Sequence, residues 1–133
     1  MKRYQRIGIL MFASLSGCVG LFDCADTVVK ESVDPSGEYV ATVFTRNCGA
    51  TADLVTHVNI RKTSSAFKVS ENSSVAGFDG ECSIGLVWKN SRTLIIQAET
   101  SDLIRRDGVR VADEIRASGG HSVIKVELQK LEY

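Results

Sequence analysis

The chain has 133 residues, with 16 basic and 16 acidic side chains, one proline and four cysteines, and 44% of its residues are hydrophobic. This composition excludes collagen-like, low-complexity and highly charged disordered proteins, and the length predicts at most one globular domain. Because the formal charge is zero and no long run of Lys and Arg occurs, the sequence also lacks the electrostatic footprint of a nucleic-acid-binding protein.

The first 17 residues have the layout of a secretory signal peptide. Lys2, Arg3 and Arg6 precede an uncharged, mostly apolar run over residues 7–15, and a basic start followed by a short apolar run is typical of such a signal. The run is much shorter than the ~20 residues that a membrane-spanning helix needs. We therefore expect a cleaved signal rather than a permanent transmembrane span.

The end of this run carries Leu15, Ser16, Gly17 and Cys18, and this Leu-Ser-Gly-Cys sequence resembles the lipobox of bacterial lipoproteins at all four positions. The resemblance implies that the Cys18 thiol receives a diacylglyceryl group and that the signal is cut just before it. In many members of the family the new α-amine is also acylated, for example with palmitate. Two or three acyl chains hold a protein on a membrane more firmly than a single reversible chain does.

The residue after the cysteine bears on which membrane is reached. Lipoproteins kept at the inner membrane of two-membrane bacteria typically carry aspartate there, whereas this chain has Val19. The resemblance thus implies the outer membrane, facing the periplasm, if the host has two membranes. The alternative is an ordinary cleaved signal, or an uncleaved anchor, in which Ser-Gly-Cys occurs by chance.

Residues 18–26 are the expected lipidated tether, and residues 27–133 the expected folded domain. From Val28 onward apolar residues alternate with period two, with turn residues about every ten positions, which predicts a small antiparallel all-β sandwich or curled sheet of about seven or eight strands. The turn Asp34–Gly37, with proline and glycine, joins the first two strands. The predicted strands are Val28–Val33, Glu38–Arg46, Leu54–Lys62, Ser83–Lys89, Thr93–Glu99, Leu103–Arg106, Val109–Ala112 and Ser122–Leu131.

The alternation also predicts which side of a strand faces the core. The expected core positions of the third and last of these segments are Leu54, Thr56, Val58, Ile60, Ile124, Val126 and Leu128, and those expected to face water in the third are Val55, His57, Asn59 and Arg61. Residues 34–62 are also similar to a pattern of small β-rich bacterial envelope proteins, which carries no assigned activity.

Export would place Cys24, Cys48 and Cys82 in an oxidising compartment, where disulfides form by default. Three pairings are open. We favour Cys48 with Cys82, because both lie inside the expected domain while Cys24 lies in the expected tether. Cys24 would then be a thiol or form an intermolecular disulfide.

The sequence offers no catalytic, cofactor or metal site that we would assign. His57 and His121 are the two histidines, and neither stands in a metal-binding or catalytic motif. Arg105, Arg106, Arg110 and Arg116 form the only basic concentration, around the predicted turn at Asp107 and Gly108. This cluster is either a solvated hairpin tip or a contact for an anionic lipid or an acidic partner.

The leading hypothesis is a lipid-anchored envelope protein whose non-enzymatic β domain binds another protein or the cell surface. It implies the membrane as a partner, through the anchor, and leaves the oligomeric state open. A second hypothesis is a small hydrolase or thiol-dependent enzyme that uses His57 or His121 with Cys24. A third is an inhibitor or exclusion lipoprotein that blocks an envelope receptor or a secreted effector.

Overall fold

A computed structural model describes residues 24–50, 53–69, 74–100, 110–116 and 122–132. The strands in this part are β1 (Ala25–Val33), β2 (Tyr39–Asn47), β3 (Val55–Lys62), β4 (Ser74–Asp79), β5 (Ile84–Asn90), β6 (Thr93–Glu99), β7 (Arg110–Val111), β8 (Glu114–Arg116) and β9 (Val123–Leu131). They form a five-stranded sheet in the order β1-β2-β3-β4-β7 and a four-stranded sheet in the order β5-β6-β9-β8. The all-β fold class is therefore confirmed.

The strand pairing differs from the prediction at one place. Every described pair is antiparallel except β6 and β9, which run parallel, with Thr93 opposite Lys125 and Glu99 opposite Leu131. Local alternation identifies a strand but does not encode the direction of a partner that lies far away in the sequence. The expectation of a purely antiparallel domain was wrong at this pair.

The core lies between the inner faces of the two sheets. Fully buried side chains come from both sheets and form one cluster: Tyr39, Ala41, Val43, Val58, Ile60, Phe78, Ile84, Leu94, Ile96, Ala98 and Ile124. In β9, Ile124 and Val126 are buried and Leu128 packs against the cluster, as the alternation predicts. Burial of this apolar surface is the main driving force for the fold.

The turn between β1 and β2 is organised by Asp34, which is 3% exposed. Its carboxylate accepts hydrogen bonds from the Tyr39 N–H at 2.7 Å and from the N–H and hydroxyl of Ser36. Gly37 adopts a φ of 75°, which glycine tolerates best. Burial alone would raise the pKa of Asp34, but these hydrogen bonds and one from the Ser91 side chain together lower it below its ordinary value.

The chain passes from the first sheet to the second at a corner held by Thr56. Its hydroxyl donates to the Gly80 carbonyl and accepts a 3.0 Å hydrogen bond from the Cys82 N–H. The two sheets also meet along their other side, where the Trp88 indole N–H donates to the Ser32 carbonyl at 2.9 Å. This contact joins edge strand β1 to edge strand β5.

Candidate functional site

The expected anchor lies outside the described residues, as do its lipobox neighbours Leu15, Ser16 and Gly17. The first described residue is Cys24, six positions after Cys18. Strand β1 already begins at Ala25, so residues 25 and 26 belong to the sheet and not to the tether. Within the described ranges, no helix has the length and apolar character that a membrane crossing requires.

Cys24 and Cys48 form a disulfide, with their Cα atoms 4.0 Å apart. The predicted pairing of Cys48 with Cys82 is therefore wrong. The reason is the β1–β2 hairpin, which pairs Ala25 with Asn47 and thereby places Cys24 directly opposite Cys48. Cys82 is buried near the corner that follows β4, and its thiol donates to the Asp79 carbonyl at 3.5 Å.

The disulfide lies at the surface, at the end of the sheet from which the expected tether departs. Cys48 is exposed and Cys24 is partly exposed. The adjoining part of β1 is exposed as well, including Val28 at 47% and Val29 at 56%. Among the described residues, an ion pair at this end joins Asp26 to Arg46 at 3.4 Å. This end of the sheet is therefore held by an exposed disulfide and, among the described residues, by few side-chain contacts.

His57 lies on the outer face of the same sheet, as predicted, but it is half-buried. Its ring stacks on Phe44, with centroids 5.1 Å apart. Burial lowers the pKa of His57, the nearby Arg46 cation lowers it further, and Asp26 opposes this effect. The imidazole is therefore biased toward its neutral form.

His57 and Ser74 share a hydrogen bond on the outer face of the sheet. Its Nδ1 lies 3.2 Å from the Ser74 hydroxyl oxygen. The Ser74 hydroxyl oxygen also lies 3.1 Å from the Ala76 carbonyl. Which group donates in the His57–Ser74 contact depends on the tautomer of the ring. The single hydroxyl proton of Ser74 can serve the His57 ring or the Ala76 carbonyl but not both, so the carbonyl competes with the arrangement that an activated serine requires. A shallow open cavity beside His57 is lined by Ser74, Val75, Ala76, Gly77, Val111 and Ala112.

Two residues of β3 that were predicted to face water are buried: Asn59 is 1% exposed and Arg61 is 9% exposed. Residues after β3 cover this face, with Phe67 packed edge-on against Phe44 at 5.2 Å. The Arg61 guanidinium lies over the Phe67 ring at 5.6 Å. An aromatic residue within the polar run after β3 is the sequence signal that could have indicated this cover.

Arg61 donates hydrogen bonds to three acceptors, one of which lies in the segment after β3 and two in the sheet. It donates to the Thr42 hydroxyl at 2.6 Å, to a Glu31 carboxylate oxygen at 3.0 Å and to the Ser65 carbonyl at 3.1 Å. Such a set satisfies most of a buried guanidinium. The cluster therefore stabilises the fold. The Asn59 side-chain amide, by contrast, has no hydrogen-bond partner in the described part of the chain.

Half of the predicted basic cluster lies outside the described residues, namely Arg105 and Arg106, as does His121. Arg110 belongs to β7, where it pairs with Gly77 of β4, and Arg116 is an exposed residue of β8. No group of three His, Cys, Asp or Glu side chains in the described ranges could hold a metal ion.

Comparison with known proteins gave no match: no family model, no curated protein and no solved structure is significantly similar to this chain.

Proposed function

We propose that this protein is a bacterial envelope lipoprotein, anchored through acyl chains on Cys18, whose β domain acts by binding and not by catalysis. The observation that carries the proposal is the Leu-Ser-Gly-Cys sequence at residues 15–18, placed directly after a basic start and a short apolar run. If the host has two membranes, the outer membrane facing the periplasm is the proposed site, because Val19 follows the cysteine.

The proposal limits how far the folded domain can lie from the membrane. The chain between Cys18 and Cys24 comprises six residue steps, and each step spans at most ~3.6 Å. The disulfide end of the sheet would therefore be held within roughly 20 Å of the bilayer surface. A domain with an exposed disulfide also fits an oxidising compartment outside the cytosol.

One contact supports binding over the thiol-dependent alternative. The Cys24 sulfur is bonded to Cys48 and is not available as a thiolate nucleophile in this state.

The test is the intact mass of the protein extracted from membranes. We expect a mass that corresponds to residues 18–133 with a diacylglyceryl group, with or without an amide-linked acyl chain. A Cys18→Ser variant should lose these acyl chains, whereas the matched control Cys82→Ser should keep them. An unmodified full-length mass, or a soluble form cut elsewhere, would refute the anchor.

A second experiment tests the proposed membrane. In a two-membrane host, a Val19→Asp variant should move from the outer-membrane to the inner-membrane fraction on a density gradient, while Val19→Ser should remain with the outer membrane. The same distribution between the two membranes for the wild type and both variants would contradict sorting by this residue.

A further inference from the structure

We propose that the Cys24–Cys48 disulfide is a reducible clamp that holds the first half of β1, residues 25–28, on the sheet, and that a dithiol reductant opens it. Opening would leave the second half, residues 31–33, in place. The consequence for the length of the membrane tether rests on the proposed function, whereas the clamp itself does not.

The disulfide is accessible to a thiolate. Cys48 is exposed and Cys24 partly exposed, and the bond lies outside the core cluster. Exposed disulfides are the ones that thiol–disulfide exchange reaches without unfolding, and they tend to be labile or regulatory. The residues beside it, Asn47 and Gly49, are exposed as well, so a partner can approach from the end of the sheet.

Strand β1 is divided by a bulge into two halves. The register with β2 shifts between Val28 and Lys30, so Val29 is the extra residue. Residues Ala25 to Lys30 are all exposed, and within the described part of the chain the side-chain tie of the first half is the Asp26–Arg46 ion pair at 3.4 Å. A partly exposed pair of this kind contributes little to stability.

The second half is held by stronger contacts. Glu31 accepts hydrogen bonds from Arg61 at 3.0 Å and from Thr42 at 3.1 Å. The Ser32 carbonyl accepts from the Trp88 indole at 2.9 Å, and the turn around Asp34 follows directly. When the disulfide is open, the first half therefore depends mainly on its backbone pairing with β2, and the bulge marks the point where separation should stop.

The exchange requires a two-electron reductant, which we name as a protein or small-molecule dithiol. One thiolate of the dithiol attacks a sulfur of the disulfide, the S–S bond breaks, and the other cysteine leaves as a thiolate that takes up a proton. The second thiol then loses its proton and displaces the first cysteine. The reductant ends as a disulfide, and Cys24 and Cys48 end as two thiols.

Opening would lengthen the tether. Release of residues 24–28 adds five residues to the chain between Cys18 and the sheet, and five extended residues span at most about 18 Å. The domain of an anchored protein could then reach nearly twice as far from the bilayer surface.

Hydrogen exchange followed by mass spectrometry tests the clamp on the protein extracted from membranes in detergent. The oxidised protein is compared with protein treated with dithiothreitol without denaturant. We expect exchange of the amides at 25–28 to become at least ~10-fold faster, and exchange at 31–33 and in β6 to change less than about 2-fold. A Cys24→Ser/Cys48→Ser variant should reproduce the reduced pattern without reductant, and Cys82→Ser should show the oxidised one.

Three results would overturn the proposal: a disulfide that resists the dithiol until the protein unfolds, unchanged exchange at 25–28 after reduction, or acceleration of equal size throughout both sheets. The acylation state is measured separately on the same protein by its intact mass. Failure of the anchor and failure of the clamp can therefore be distinguished.

Discussion

Replacement of Arg61 by alanine should destabilise the domain far more than replacement of the neighbouring lysine. The Arg61 side chain is 10% exposed and donates to three acceptors. Lys62 is 32% exposed and forms one ion pair, 3.7 Å from Glu38. The two side chains are adjacent basic residues of β3 with different surroundings, so Lys62→Ala is a matched control.

The magnitude follows from these contacts. A hydrogen bond to a charged group contributes about 1.5–3 kcal/mol, and loss of one partner of a buried pair costs about 3–5 kcal/mol. Glu31 is 43% exposed, so water can solvate its carboxylate when Arg61 is absent. We therefore expect Arg61→Ala to lower the free energy of unfolding by roughly 3 kcal/mol and Lys62→Ala by less than about 1 kcal/mol.

The assay is urea unfolding at neutral pH, monitored by circular dichroism without reductant so that the disulfide stays closed. Arg61→Lys keeps the charge but cannot reproduce the planar donor set, so it should fall between the wild type and Arg61→Ala. A loss for Arg61→Ala within about 0.5 kcal/mol of the Lys62→Ala loss would refute the reasoning.

The remaining predictions concern pH and the core. The pKa of Asp34 is lowered in the folded state, so its contribution to stability is present above the unfolded pKa near 4 and is lost as the pH falls through the folded pKa. Asp34→Asn should therefore reduce the loss of stability on acidification, measured by urea unfolding at a series of pH values. An unchanged loss would contradict this prediction. The pKa of His57 is also lowered, so the folded state disfavours protonation of its ring and stability should fall as the pH drops below about 6.5. His57→Gln should reduce this loss of stability between about pH 7.5 and 5.5. An identical dependence of the unfolding free energy on pH in the variant and the wild type would count against the prediction. Leu94→Ala, at a fully buried position, should cost about 3 kcal/mol in urea unfolding, whereas Val87→Ala, at a position 42% exposed, should cost less than about 1 kcal/mol; similar losses would contradict the assigned core.

The strands with clear alternation could be predicted from the sequence. The predicted strand Thr93–Glu99 has the same bounds as β6. The core side of β9 was predicted correctly because Ile124 and Val126 alternate with charged residues. Strand β4 was missed, since Gly77 interrupts its short apolar run. The burial of Asn59 and Arg61 could not be predicted from alternation, because it depends on a segment that folds back over the outer face of the sheet.

The proximity of Cys24 and Cys48 could have been predicted from the sequence, but their direct pairing could not. The register set by the turn at Asp34–Gly37, extended without a break, would place Cys24 opposite Gly49, and the bulge at Val29 shifts it by one residue to Cys48. We assigned Cys24 to the tether and therefore stopped the strand too early. The anchor at Cys18, in contrast, depends on a short motif that a processing enzyme reads, and strand geometry carries no information about it.

The contact between Trp88 and the Ser32 carbonyl gives the protein a built-in optical reporter. Trp88 is the single tryptophan of the chain, so the indole emission of the purified protein comes from the seam between β1 and β5. Water that enters this seam should shift the emission to longer wavelength. Separation confined to residues 25–28 should leave the spectrum unchanged. Fluorescence can therefore reveal, without any label, whether a ligand, a membrane or a change of redox state has loosened the edge strand beyond its bulge.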